Sequence, residues 1–186
     1  PSDSESINVL LKQYGLLRDD ITNDVTCINI VAETSEGPHP VWEAAAKTCS
    51  VMNVPLRELL KVSKAFPKQS NLKQVWIVEN SGVFSSLADA VPDAPMVCTH
   101  GQFKLAALKL MDMLVDSGCS LNYAGDIDPE GLLMAERLWQ RYPHKLNMWH
   151  MDLHAYHRSN PQVLLPPERL AKLDSLVEPG LKSLAQ

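Results

Sequence analysis

From residue 73 onward, short apolar runs alternate with longer segments in which apolar residues recur at helical spacing. The runs, each of a length typical of a strand buried on both faces, are 75–78, 96–99, 121–124 and 146–149. The segments between them predict helices over 83–90, 102–117 and 129–142. Because strands and helices alternate with short connections, we expect an α/β fold with a four-stranded, mostly parallel, Rossmann-like sheet flanked by helices.

The pattern is less regular on either side of a predicted core domain over residues 73–150. Residues 1–72 predict an N-terminal α/β extension that packs on this core. It consists of an amphipathic patch at 7–11, a strand at 27–32 and helices at 41–50 and 55–62. Residues 151–186 are interrupted by prolines and predict a helical tail that wraps the domain or is cut short. The helix expected in this tail covers 168–176.

The composition is that of a globular protein, with 186 residues, 45% hydrophobic and 21% charged, which is enough for one domain with a sizeable core. Because the chain begins with Pro1 rather than methionine, we expect a piece of a longer protein. No stretch approaches the roughly 18 apolar residues of a membrane span, and none resembles a signal peptide, so we expect a cytoplasmic protein. Free core thiols are favoured over disulfides or zinc ligands for the widely spaced Cys27, Cys49, Cys98 and Cys119.

The formal net charge of −5 argues against a stand-alone, electrostatically driven nucleic-acid binder, because such affinity comes mostly from Lys and Arg on phosphates. It does not exclude a nuclease, since acids that hold metal ions are neutralised when the ions bind. A basic surface could also lie on a partner or on another domain.

The segment 121–131, LNYAGDIDPEG, predicts a strand, a tight acidic turn and the start of a helix. Its two carboxylates, Asp126 and Asp128, could both reach one hard divalent cation through oxygen. The alternative is structural: Asp128 before Pro129 is a typical helix start, with Asp as N-cap and Pro at the first helical position, and Asp126 is then a solvated turn residue.

Glu79 and His100 also fall at or just past the carboxyl end of a predicted strand, as Asp126 does. Parallel strands share one such edge, so these residues should meet, and Glu79 would join Asp126 and Asp128 in a site of three carboxylates. Without matching Lys or Arg, such a cluster repels strongly unless a cation lies between its members. Hydrolysis or transfer of phosphodiesters needs a site of this kind, because Mg²⁺ neutralises developing charge and generates a nucleophilic hydroxide.

Three motifs in this order, VWIVEN, VCTHGQ and YAGDIDPEGLLMA, resemble the Toprim domain of topoisomerases, primases and certain nucleases. The sequences of these motifs are most similar to those of the C-terminal Toprim-type domain of JetD nuclease subunits of Wadjet-type SMC plasmid-defence systems. The DxDPxG element also resembles the A subunit of type IIB topoisomerases. The resemblance covers residues 73–150, with weaker likeness on both sides.

The resemblance implies a metal-dependent DNA endonuclease of a bacterial anti-plasmid or anti-phage complex. The resemblance implies that Glu79, Asp126 and Asp128 of this chain hold Mg²⁺ or Mn²⁺. Glu79 could alternatively act as a general acid or base. DNA would be the substrate. The partners would be a second copy of this chain or SMC-like subunits, and no membrane would be involved. Asn80 follows Glu79 directly, in place of the EGxxD form of topoisomerases. No winged helix with a nucleophilic tyrosine is recognisable, so hydrolysis by water is favoured over a covalent tyrosyl intermediate.

Two other functions remain open. The fold could serve as a non-catalytic scaffold or dimerisation module, or the chain could be another Toprim phosphoryl-transfer enzyme of the topoisomerase, primase or RNA-processing kind.

Residues near the acids are further candidates for the site. Glu130 is a possible metal ligand, but a Glu in a first helical turn is also favoured by the helix dipole. His100 and Lys104 are candidates for phosphate contact. The alternative is structural, with His100 a hydrogen-bonded loop histidine and Lys104 a solvated lysine. Asn80 and Gly131 complete the substrate-binding candidates, and Gly131, like Gly125, is expected to allow a close backbone approach to metal or phosphate.

The segment HMDLHAYH contains His150, His154 and His157 beside Asp152. In a helix, His150 and His154 would share a face as a zinc pair, but no clear third and fourth ligands follow from the spacing. The role of these histidines stays open.

Overall fold

A computed structural model of the chain describes residues 4–14, 16, 19–69, 71–162 and 164–185. The helices are α1 (Ser4–Gln13), α2 (Pro40–Lys47), α3 (Leu56–Leu59), α4 (Ser81–Ala90), α5 (Leu105–Asp116), α6 (Pro129–Arg141), α7 (Leu153–Arg158), α8 (Pro167–Leu170) and α9 (Pro179–Leu184), with a 3-10 helix over Ala171–Ser175. The strands are β1 (Asp24–Ile28), β2 (Ile30–Thr34), β3 (Gly37–Pro38), β4 (Met52–Pro55), β5 (Lys64–Pro67), β6 (Gln74–Val78), β7 (Met96–Cys98), β8 (Ser120–Ala124) and β9 (Leu146–Met148).

The central sheet has six strands in the order β4-β1-β7-β6-β8-β9. The four strands predicted from the apolar runs, β6 to β9, pair in parallel, with Ile77 opposite both Val97 and Tyr123. Strand β1 is antiparallel to both β4 and β7, so the N-terminal part of the chain extends the same sheet. The α/β fold class with a mostly parallel, helix-flanked sheet is confirmed, and the sheet is two strands wider than expected.

The apolar runs of β6 and β7 are continuous because both faces of these two strands are covered. On one face, Val75 and Ile77 of β6 pack with residues of α5 and α6 and are fully buried. On the other face, Val78 packs with Phe84 of α4 and with Met96 of β7. Strands β6 and β7 are therefore packed on both faces, whereas β8 alternates between buried and half-buried side chains.

The single strand predicted over 27–32 is wrong in one respect, because Asn29 divides it into β1 and β2. Asn29 has φ 57°, a left-handed conformation that Asn tolerates better than most residues. Its buried side-chain amide donates hydrogen bonds to the carbonyls of Pro92 and Ala94, at 2.7 and 2.9 Å. After this bend the chain leaves the central sheet, and β2 joins the separate antiparallel sheet β3-β2-β5.

Two other local predictions differ from the structure. The helix expected over 55–62 is only the single turn α3, because Pro55 ends β4 and the chain turns at residues 60–61. The tail helix expected over 168–176 consists of α8 followed by the 3-10 helix, and α7 and α9 were not predicted.

The tail packs along the core domain through apolar and polar contacts. Leu173, Leu176 and Leu181 are buried in the main hydrophobic cluster. The buried Glu136 of α6 accepts a hydrogen bond from the backbone N–H of Glu178 at 3.0 Å. Within the described part of the chain, no helix is long and apolar enough to cross a membrane.

Candidate functional site

A cleft of about 250 Å³ lies at the carboxyl ends of β6, β7 and β8. It is lined by Glu79, Asn80, Ser81, His100, Gly101 and Asp126. The crevice outside the carboxyl ends of the strands is where open α/β sheets bind ligands. The structure thus brings together Glu79, His100 and Asp126, the three residues that the sequence placed at this edge.

Glu79 follows β6 directly, and its side chain turns toward the loop after β8. One carboxylate oxygen, Oε2, lies 3.4 Å from the backbone N of Asp126, which is a long and weak hydrogen bond. Burial raises the pKa of Glu79, and the carboxylates of Asp126 and Asp128 raise it further, while the Asp126 N–H acts in the opposite direction. The negative surroundings that oppose ionisation of Glu79 would favour a cation at the same place.

Gly125 and Gly131 give the acidic turn its tight shape. A Cβ at Gly125 would lie 2.6 Å from the Tyr123 hydroxyl oxygen and 3.0 Å from Glu79 Oε2. A Cβ at Gly131 would lie 2.0 Å from the Asp126 carbonyl oxygen, which no side chain could accommodate. The close approach expected at these glycines is therefore an approach to the protein's own atoms, and it sets the position of Asp126.

Asp128 is the N-cap of α6, the structural alternative that its neighbour Pro129 indicated. Its Oδ1 accepts a hydrogen bond from the backbone N–H of Gly131 at 2.8 Å. Its other oxygen, Oδ2, accepts from Arg169 Nη2 at 2.7 Å. Both oxygens of Asp128 thus have partners within the protein.

Two basic residues of the tail, Arg169 and Lys172, lie against the acidic turn. Arg169 bridges Asp128 and Glu130, and Lys172 Nζ lies 2.8 Å from Glu130. These hydrogen bonds, first from Arg169 and then from Lys172, lower the pKa of Glu130 to about 2. The expectation that the acids lack matching bases is wrong for Asp128 and Glu130, because their partners are some 40 residues away in the chain.

Asp126 and Glu79 differ from the other two acids in their charge balance. Among the residues that the structure describes, neither forms an ion pair with Lys, Arg or His. Asp126 is exposed at the cleft, and Glu79 is partly buried beside it. The uncompensated negative charge of the site is therefore concentrated on these two side chains.

His100 is held in a left-handed conformation, with φ 55°, at the rim of the cleft. Its Nε2 lies 2.5 Å from Thr26 Oγ1, and its Nδ1 lies 3.7 Å from Cys98 Sγ. Because Thr26 donates its hydroxyl proton to Asn53 Oδ1, Nε2 must be the donor to Thr26. Both ring nitrogens have partners, which favours the hydrogen-bonded loop histidine over a phosphate ligand.

The other substrate-binding candidates also have structural partners. Asn80 caps α4 by accepting hydrogen bonds from the backbone N–H groups of Gly82 and Val83. Lys104 Nζ bonds the Thr22 carbonyl at 3.0 Å and the Asp24 carboxylate at 2.5 Å, so it is directed toward the start of β1. Asn80 still lines the cleft, whereas Lys104 does not.

Comparison with known protein families gives one match. The profile of the family described as "Protein of unknown function C-terminus (DUF2399)" matches residues 52–185. The chain belongs to the DUF2399 family. The match includes the whole cleft as well as Arg169 and Lys172 of the tail. Searches of curated proteins and of solved structures found no match.

In this DUF2399 domain the histidine-rich segment does not form a metal site. His150, with φ 54°, packs its ring against Trp149, and Asp152 caps α7 through the Ala155 N–H at 2.7 Å. Across the described residues, no group of three or more His, Cys, Asp or Glu side chains could hold a metal ion. All four cysteines are free thiols, and Cys27, Cys98 and Cys119 are buried.

Because no group of three such side chains is found in the described residues, the three-carboxylate site expected from the sequence is not preformed in the DUF2399 domain. What the structure provides is a pair, Glu79 and Asp126. Mg²⁺ commonly binds one or two carboxylates and completes its octahedron with waters and substrate phosphates. The donor set of the cleft therefore fits a hydrated divalent cation, whereas Asp128 does not line the cleft and is paired with Arg169.

Proposed function

We propose that the cleft binds Mg²⁺ or Mn²⁺ and hydrolyses phosphodiester bonds of DNA. The single observation that carries the proposal is the placement of Glu79 and Asp126, two carboxylates without basic partners in the described residues, at the shared carboxyl edge of parallel strands. The choice of DNA and of nuclease chemistry rests on the resemblance of the surrounding motifs to Toprim-type nucleases.

Both side chains of the pair have a role in this proposal. Asp126, the exposed acid that follows β8, and Glu79, which follows the neighbouring β6, would hold the ion. When bound, the ion neutralises charge on the phosphoryl oxygens and lowers the pKa of attacking water. In the alternative, Glu79 would not bind the ion and would act as a general acid or base, a role that a raised pKa favours.

The protein around the cleft is proposed to need partners for full activity. The chain has a net charge of −5, and two bases beside the acidic turn, Arg169 and Lys172, are engaged with acids. Binding of the DNA backbone requires free Lys and Arg. We therefore expect weak cleavage by the isolated chain and place the basic surface on a second copy or on SMC-like subunits of a defence complex.

One observation favours a second function, that of a non-catalytic scaffold. Asp128 and Glu130, two of the expected metal ligands, are neutralised by Arg169 and Lys172 of the tail. In a scaffold these contacts would only fasten the tail to α6. Such a module would have no need of a cation at Glu79 and Asp126.

A metal-dependent plasmid-cleavage assay tests the proposal. We expect Asp126→Asn and Glu79→Gln, which preserve side-chain volume, to lower the cleavage rate by about 100-fold or more, because each removes charge that holds the ion. Asp116→Asn is the matched control. Asp116 is an exposed acid at the end of α5, near Lys73 and Gly118, where β6 and β8 begin rather than end.

Unchanged cleavage by Asp126→Asn and Glu79→Gln, with thermal unfolding showing intact folds, would reject the cleft as the active site. Absence of cleavage by the wild-type protein together with absence of Mn²⁺ binding would favour the scaffold.

A further inference from the structure

The side chain of Tyr123 lies beneath the cleft, and its hydroxyl group has no hydrogen-bond partner. Tyr123 is in β8 and is 0% exposed. Its ring packs edge-on against Phe103, with centroids 6.1 Å apart, as a phenylalanine ring also could. Among the described residues, its hydroxyl oxygen is one of the few buried polar atoms without a partner.

Folding alone does not account for this hydroxyl group. A buried donor without a partner destabilises a protein, because the group loses its hydrogen bonds to water. The other buried tyrosine, Tyr142, illustrates the usual arrangement, since its hydroxyl donates to Asp112 Oδ1 at 2.7 Å. At position 123 a phenylalanine would retain the packing without the penalty.

The position of the hydroxyl group indicates its use. Tyr123 Oη and Glu79 Oε2 lie 2.6 and 3.0 Å from the point where a Cβ of Gly125 would stand, so both oxygen atoms approach the same glycine. The absence of that Cβ leaves the space between the two oxygen atoms free of a side chain. Among the described residues, the Glu79 carboxylate has one hydrogen bond, the long contact to the Asp126 N–H.

We propose that Tyr123 is a positioning residue, whose hydroxyl donates a hydrogen bond to the Glu79 carboxylate when Glu79 turns to hold a divalent cation. This inference rests on the proposed function of the cleft. Tyrosine is suited to the role because the phenol stays protonated at neutral pH and can therefore serve as a donor. A hydrogen bond to the outer oxygen of a carboxylate ligand fixes its orientation and typically changes metal affinity by about 10–100-fold.

The test compares Tyr123→Phe with Tyr142→Phe in the full chain, using Mn²⁺ as the probe. We expect Tyr123→Phe to unfold at the wild-type temperature or above it in the absence of metal, because the substitution removes an unpaired buried hydroxyl. Calorimetric titration should show Mn²⁺ affinity weakened by about 10–100-fold. Tyr142→Phe should show the reverse pattern, with a lower unfolding temperature and wild-type Mn²⁺ affinity.

Two results would overturn the inference while leaving the proposed function in place. One is a Tyr123→Phe protein that binds Mn²⁺ as tightly as the wild type. The other is a Tyr123→Phe protein with a lower unfolding temperature in the absence of metal, since the hydroxyl would then have a partner in the fold itself. A wild-type protein that binds no Mn²⁺ would overturn both the proposed function and this inference.

Discussion

The ionised side chain of Glu79, which is proposed to bind a cation, lowers the stability of the metal-free fold. Burial and the neighbouring carboxylates raise its pKa above the ordinary glutamate value. A raised folded-state pKa means that the folded protein favours the protonated form, so ionisation of Glu79 destabilises the fold. The stability associated with the protonated form is complete below the unfolded-state pKa of about 4.3 and is lost as the pH rises through the folded-state pKa.

We therefore expect Glu79→Gln to raise the unfolding temperature of the metal-free protein at pH 7, because glutamine never ionises. The difference should shrink as the pH falls toward about 4. Thermal unfolding followed by circular dichroism across this pH range provides the measurement. Glu36→Gln, at an exposed turn after β2, is the control and should show no such trend. A lower unfolding temperature for Glu79→Gln at pH 7 would contradict the assignment of Glu79 to a negative, partly buried environment.

At the same scale, the sequence was sufficient to place Glu79 and Asp126 but not to pair the other acids. Glu79 and Asp126 each follow a strand of a parallel sheet, so their meeting follows from local pattern and topology alone. The pairing of Asp128 and Glu130 with Arg169 and Lys172 depends on how the tail packs. Nothing in the spacing of these residues encodes that packing, because the tail is broken by prolines and has no regular period.

At the scale of elements, the contact between α6 and the tail couples structure to the proposed chemistry. One oxygen of Asp128 caps α6, and the other accepts a hydrogen bond from Arg169, so the guanidinium would oppose any cation that approached this carboxylate. Lys172 contacts Glu130, and no ion pair between Lys172 and Asp128 occurs in the described residues. The two basic residues thus differ in which acid they neutralise.

Arg169→Gln should therefore tighten Mn²⁺ binding, because it frees one oxygen of Asp128 and removes a positive charge beside the acidic turn. Lys172→Gln is the matched control, since it removes the same charge from the same tail and leaves Asp128 paired. Calorimetric titration of both variants with Mn²⁺ distinguishes the two effects. Equal affinities for the two variants would show that Asp128 does not take part in binding the ion.

Elements other than the four parallel strands were harder to predict. The apolar run at 27–32 does not reveal the bend at Asn29, whose left-handed conformation is stabilised by contacts with residues more than 60 positions away. Strand β5 was also missed, since its alternation over Lys64–Pro67 is too short to stand out. Both errors concern segments whose structure depends on long-range partners.

At the scale of the whole molecule, the N-terminal part contributes directly to the sheet that supports the cleft. Strand β1 lies beside β7, and its Thr26 bonds His100 at the rim of the site. The tail contacts Asp128, at the end of the acidic turn, through Arg169. Segments from both ends of the chain therefore support the candidate site, although the motifs that suggest its function lie within residues 73–150.

The central claim is that Glu79 and Asp126 hold a divalent cation between parallel strand ends. Calorimetric titration of the full chain with Mn²⁺, with the wild type beside Asp126→Asn, tests it most directly because it requires no nucleic-acid substrate and no partner. We predict saturable binding by the wild type and by Asp116→Asn, and loss of binding in an Asp126→Asn protein that remains folded. No binding by the wild type, or equal binding by Asp126→Asn, would contradict the claim.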